Sequence, residues 1–98
     1  RNRGFAATVR SDVRIASQVV FVWFGDNAST AICPGVGGVT GPVLNLSGDY
    51  TGASVSEGVT ITVTSGDANS FIVRGTHSSL PAGSNYQIRG DGTIIDNL

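Results

Sequence analysis

The stretch from Phe5 to Phe24 constrains this chain more than any other. On a wheel of about 100° per residue, Phe5, Ala6, Val9, Val13, Ala16, Val20, Trp23 and Phe24 share one stripe, while Arg10, Arg14 and Ser17 fall outside it. That period predicts an amphipathic helix over residues 1–24, and the stripe alone spans roughly 30 Å at about 1.5 Å per residue. Gly25 follows the last periodic residue, with Asp26-Asn27 behind it. A glycine there is expected to stop the helix by taking the left-handed conformation, which carries no Cβ penalty.

The same helix carries a second apolar set. Ile15, Val19 and Val22 cluster on another face, and Phe21 sits on a third. Its last two turns are therefore apolar nearly all round, and such a helix has to be covered on more than one side. One cover is expected to be its own sheet. The other is either a long loop of the same chain or a neighbouring molecule, which makes Ile15, Val19, Phe21 and Val22 the candidate subunit-interface residues.

Residues 25–58 show no sustained period and carry Pro34, Pro42 and the run Gly35-Val36-Gly37-Gly38. They predict a long irregular connection with a short strand or turn near Val43-Leu44-Asn45-Leu46. Connections of this length are uncommon in compact domains and are often functional. Val36, Val39, Val43, Leu44 and Leu46 suggest that the loop is packed down.

The pattern then changes to period two. Val59-Thr60-Ile61-Thr62-Val63-Thr64 alternates apolar and hydroxyl residues, a strand with one buried face. Ser65-Gly66-Asp67-Ala68-Asn69 is a turn cluster, and residues 70–76 form the next strand. Its Phe71 and Val73 lie on one face, and Ile72 and Arg74 on the other. A loop containing Pro81 and Gly83 leads to Tyr86-Gln87-Ile88-Arg89. Gly90-Asp91-Gly92 then turns the chain into Thr93-Ile94-Ile95. Connections this short force antiparallel neighbours. The expected fold class is α+β: an N-terminal helix packed on a C-terminal antiparallel meander of three to four strands over 59–98, joined by the 25–58 loop, in one domain.

Composition narrows the function. The chain has 98 residues, a net charge of −1 and no lysine. Charged residues make up 13%, against about 25% in an average soluble domain. There is no basic stripe to displace counterions from phosphates, so no nucleic-acid partner is expected. One cysteine and one histidine give neither a self-contained zinc site nor a disulfide framework, and no cofactor is expected. No apolar run approaches the roughly 18 residues of a membrane span. A surface of hydroxyls and amides suits an exported protein.

The order of these pieces resembles the type IV pilin head domain. Phe5-Ala6-Ala7-Thr8-Val9-Arg10-Ser11-Asp12-Val13-Arg14 followed by Phe24-Gly25-Asp26-Asn27 is similar to the second half of the long pilin helix: a small-residue stretch, a Ser-Asp-Leu-Arg or similar tetrad and an aromatic-x-Asp-Asn stop. Gly58 to Val63, Phe71-Ile72-Val73 with Thr76-His77-Ser78, and Tyr86-Gln87-Ile88 are similar to the sheet of short bacterial pilins. The similarity covers about two-thirds of the chain. It implies an upstream apolar helix of about 20 residues, long enough to anchor a precursor in the inner membrane and later to form a filament core. It also implies a structural, non-enzymatic subunit. Its partners would be other copies of itself in a helical filament and a pilus assembly machinery, and its place the extracellular pilus. The family's C-terminal disulfide loop does not carry over, because Cys33 has no partner in the chain. Two alternatives stand beside this one: a pseudopilin of a type II secretion system, and a free-standing extracellular adhesion module.

The remaining chemistry-bearing residues have plainer readings. His77 with Ser78 and Ser79 lacks the spacing of a triad and reads as a surface or locally bonded histidine. Cys33 reads as a buried free thiol, with an intermolecular link as the alternative. Arg89-Gly90-Asp91 matches an integrin-type tripeptide, but Gly-Asp-Gly is what a tight turn requires. Asp67, Asn69, Asp91, Asp96 and Asn97 offer oxygen ligands of the kind some pseudopilins give to calcium. No loop motif organises them, so they read as solvated turn residues. Asn27-Ala28-Ser29 and Asn45-Leu46-Ser47 match a glycosylation pattern that arises often by chance in a serine-rich chain. The aromatic residues on the helix stripe are expected to be core.

Overall fold

The computed structural model describes residues 2–28, 30–33, 35–40, 43–45 and 51–98. Among these, one helix, α1 (Asn2–Asp26), is followed by seven strands: β1 (Val36–Thr40), β2 (Val43–Asn45), β3 (Thr51–Ser54), β4 (Val59–Thr64), β5 (Ile72–His77), β6 (Asn85–Arg89) and β7 (Ile94–Asn97). The helix packs on an antiparallel sheet, giving the α+β arrangement that the sequence periods imply.

Every residue of the helix stripe except Phe5 is buried, with Val9, Val13, Ala16 and Val20 fully enclosed. Each large aliphatic side chain moved from water into such a core contributes about 1.5–3 kcal/mol. Their partners come from alternate positions of the sheet, chiefly Val59, Ile61, Val63, Phe71, Val73 and Tyr86. Helix and sheet meet most closely at Gly75. A Cβ at that position would collide with Val13 Cγ2 and stand 3.1 Å from Val9 Cγ1. Glycine is required here by close approach, not by an unusual backbone angle.

The helix ends two residues later than its period suggests, and by a different device. Gly25 lies inside α1 and has no positive φ, so it is not the left-handed stop. Asn27 terminates the helix instead. Its Nδ2 donates to the Trp23 carbonyl at 2.8 Å and satisfies one of the acceptors that a helix end leaves open. Ser17, off the apolar stripe, is nonetheless buried. Its hydroxyl donates to the Arg14 carbonyl at 2.7 Å, so the polar atom needs no partner outside the helix.

The segment 25–58 is not an irregular loop throughout, because it contributes three strands. β1 adds to the free edge of β4, and the main sheet runs β1-β4-β5-β6-β7, one strand wider than the four-stranded meander β4–β7. Its register breaks between Val36 and Val39, where Gly37 and Gly38 sit. Glycines at such an irregularity weaken the strand signal in the sequence. β2 and β3 form a separate two-stranded ribbon, and β3 lies along α1. β2 occupies the expected strand at Val43, Leu44 and Asn45. Leu46 and Tyr50 lie outside the described residues, as do the side chains of Val36, Val39, Val43 and Leu44. Within the meander, Gly92 takes a left-handed φ of 92° and closes the β6–β7 turn, with Arg89 N–H donating to Thr93 O at 2.9 Å.

Candidate assembly surface on the helix

The four candidate contact residues do not share one environment. Ile15, Phe21 and Val22 are 42%, 47% and 57% exposed. Val19 is only partly exposed and packs against the core. Ile15 and Val22 are seven residues apart, about 20° from each other on the wheel, and form a strip on the helix side away from the sheet. Phe21 stands toward one flank, where its ring and that of the fully buried Phe71 form a T-shaped pair with centroids 5.3 Å apart. Half of its surface is thus committed to the domain's own core. Toward the amino end, the strip continues into a shallow groove of about 370 Å³ lined by Ala7, Arg10, Ser11, Arg14 and Ile15.

Both flanks of the helix are tied down by polar contacts. On one, the buried Asp12 accepts from Ser56 N–H at 2.8 Å and from Ser56 Oγ at 3.1 Å, clamping the end of the β3–β4 connection to the helix. Neighbouring Val55 joins the core. The chain's own connection therefore covers this flank, and it stops short of Ile15 and Val22. On the other flank, the Arg10 guanidinium donates to both oxygens of Asp96 on β7, at 3.0 and 3.3 Å. Asp96 is held below the ordinary carboxylate value, first by this hydrogen bond, and Arg10 is raised for the same reason.

Asp12 escaped the sequence reading although a signal was present. It falls on the helix wheel at the border of the apolar stripe, about 20° from Phe5 and Trp23, and a carboxylate that close to a core has to find donors. Nothing local announces the Arg10–Asp96 pair, which spans 86 residues of chain.

His77 stacks on Phe5 at a centroid distance of 4.4 Å, and its Nδ1 accepts from Ser79 N–H at 2.9 Å. With Glu57, Gly58, Ser78 and Ser79 it lines a shallow cleft beside the start of the helix. The hydrogen bond to the ring comes from the main chain of Ser79, not from a hydroxyl. Cys33 is buried and free, and its N–H donates to Gly66 O.

The remaining carboxylates serve their own turns. Asp67 accepts from Asn69 N–H and Ser70 Oγ, and Asp91 accepts from Thr93 N–H. Both are lowered from the usual range, with the backbone donor as the largest cause in each. Among the described residues, no group of three or more His, Cys, Asp or Glu is placed to hold a metal ion. In Arg89-Gly90-Asp91, Gly90 N–H donates to Phe71 O, and a Cβ at Gly90 would collide with the Ala68 carbonyl. That turn is fixed by packing between two loops. Ser29, Leu46 and Ser47 of the two Asn-x-Ser patterns lie outside the described residues. Among the described residues, no helix is long and apolar enough to cross a membrane.

No protein-family model matches this chain, and no curated protein or solved structure is significantly similar to it.

Proposed function

We propose that this chain is the head domain of a structural subunit of a type IV pilus filament. The observation that carries the reading is the exposure of Ile15 and Val22 on a helix whose opposite side is fully enclosed. Large aliphatic side chains on the free side of a helix are satisfied by another surface. A copy of the same chain offers one through a contact that repeats without closing, and such contacts generate open helical polymers. The low charge of the chain keeps repulsion between stacked copies small. The resemblance of both ends of the chain to pilin segments supports the same reading.

In this role the protein acts mechanically rather than as an enzyme. Its partners are its own copies and the machinery that assembles them. An upstream helix would hold the precursor in the inner membrane before the subunit joins an extracellular filament.

The test uses the full-length gene. Ile15→Asp and Val22→Asp are expected to leave the domain folded and the subunit present in membranes, while surface filaments disappear from electron micrographs. Filaments of normal abundance in both variants would overturn the reading. A neighbouring gene for a retraction ATPase would separate a pilus from a secretion pseudopilin.

A further inference from the structure

We infer that the outer face of the main sheet, the side away from the helix, is a binding surface for an acidic polysaccharide. Alternation along the strands sends one set of side chains to this face, and the register places them in rows. One row is Thr62, Arg74, Gln87 and Ile95, and the next pairs Ile72 with Arg89. Arg74 and Arg89 therefore stand diagonally on adjacent strands, roughly 7–8 Å apart at their backbones.

Among the described residues, no carboxylate shares this face with Arg74 and Arg89, and the charge coupled to Arg89 is Asp91 in the turn after β6. Asp12 and Asp96 point to the helix side, Asp26 is at the helix end, and Glu57, Asp67 and Asp91 lie in turns. Asp49 is outside the described residues. Among the described residues, neither Arg74 nor Arg89 makes a salt bridge or side-chain hydrogen bond, and Arg89 Nε is shut off from solvent without an acceptor. Arg89 stands near enough to Asp91 to help lower it, but no hydrogen bond joins the two side chains among the described residues. Two neighbouring like charges repel, and an anion shared between them removes that cost.

The rest of the face selects the kind of anion. Thr60, Thr62 and Thr76 surround the arginines with hydroxyl groups, and Gln87, whose amide donates to Asn85 Oδ1 at 3.0 Å, adds its own oxygen; these match the hydroxyls of a sugar chain. Guanidinium forks match its carboxylates in bidentate fashion. No aromatic ring stands on this face among the described residues: Phe21, Phe24, Phe71 and Trp23 cluster with the helix, and Tyr86 faces the core. Stacking of nucleic-acid bases therefore has no platform here. Two arginines give weak binding per domain. If the filament reading holds, repetition of the face along a polymer converts it into avidity, and only that step rests on the reading.

The test uses the 98-residue chain as an isolated domain, so it is independent of assembly. Nuclear magnetic resonance titration with polygalacturonate at low salt is expected to shift the amides of Thr62, Arg74, Gln87 and Ile95 and the Nε–H signal of Arg74. Arg74→Gln and Arg89→Gln should each weaken binding about five-fold, the scale of one exposed ion pair. Thr62→Lys, which adds a cation to the same face, should tighten it. Unchanged core signals from Val13 and Phe71 verify folding in each variant. Equal shifts with neutral dextran, shifts confined to Arg10 and Arg14 on the helix, or no shifts at all would overturn the inference. Tighter binding of duplex DNA on the same residues would assign the face to nucleic acid and overturn the polysaccharide assignment.

Discussion

Asp12 ties the helix to the β3–β4 connection, and a change of one side chain there tests that tie. Its carboxylate is buried and receives two hydrogen bonds from Ser56, one from the main chain and one from the hydroxyl. A hydrogen bond contributes about 0.5–1.5 kcal/mol net, and a buried donor left without a partner costs about 1–3 kcal/mol. Asp12→Ala removes both bonds and leaves the half-buried Ser56 N–H without its acceptor. The expected loss is about 2–4 kcal/mol, which lowers Tm by roughly 10–25 °C in a domain of this size. Ser56→Ala removes only the hydroxyl bond and should cost about 1 kcal/mol. Asp12→Asn retains one acceptor oxygen and should fall between the two. Urea denaturation of the three variants and of the Asp12→Ala/Ser56→Ala double variant gives the coupling directly, and the double should resemble Asp12→Ala alone. If Asp12→Ala were as stable as the parent, or if the two single effects added fully, the clamp between α1 and the β3–β4 connection would have no energetic meaning.

Other consequences follow from the same packing. Gly75→Ala forces Val13 and Val9 away from the sheet and should cost about 1–3 kcal/mol, read as a lower Tm with unchanged far-ultraviolet circular dichroism. Asp96, Asp67 and Asp91 all have folded values below the ordinary 3.8. Between that value and their lower folded ones, the unfolded chain binds more protons, so stability rises with pH there. Their contribution is complete above about pH 5 and is lost as the pH falls through the folded values. Asp96→Asn should therefore flatten the acid limb of a Tm-against-pH curve and leave its neutral region parallel to the parent. Cys33, 1% exposed, should resist a thiol reagent in the folded protein and react fully in denaturant.

The parts of this fold that the sequence announces are those where the period is long and clean. The helix stripe is one, and its apolar residues other than Phe5 are buried as a set. The Val59–Thr64 alternation is another, with Val59, Ile61 and Val63 inside and Thr60 and Thr62 at the surface. Where glycine interrupts the pattern, the reading fails. Gly37-Gly38 hides β1 as loop, because two glycines in a strand of five interrupt its alternation. Gly25 suggests a left-handed stop, but glycine also accepts helical angles, and the terminating contact comes from an Asn27 side chain two positions on. The candidate assembly strip is legible in part. Ile15 and Val22 are exposed, whereas Val19 leans into the core and Phe21 leans on Phe71. The wheel gives direction but not the depth to which the neighbouring sheet and the β3–β4 connection reach. The rows of the outer sheet face depend on register, which becomes visible only when each strand has its partner.

The central claim is that the helix side carrying Ile15 and Val22 is covered by identical copies of the chain. A photo-crosslinking amino acid at Val22 of the full-length protein, irradiated on intact cells, tests this most directly. Sheared surface material should then give a ladder of covalent species at whole multiples of the subunit mass, with every rung composed of this chain alone. A folded subunit that remains monomeric after irradiation, or that forms a single adduct with a different protein, would contradict it.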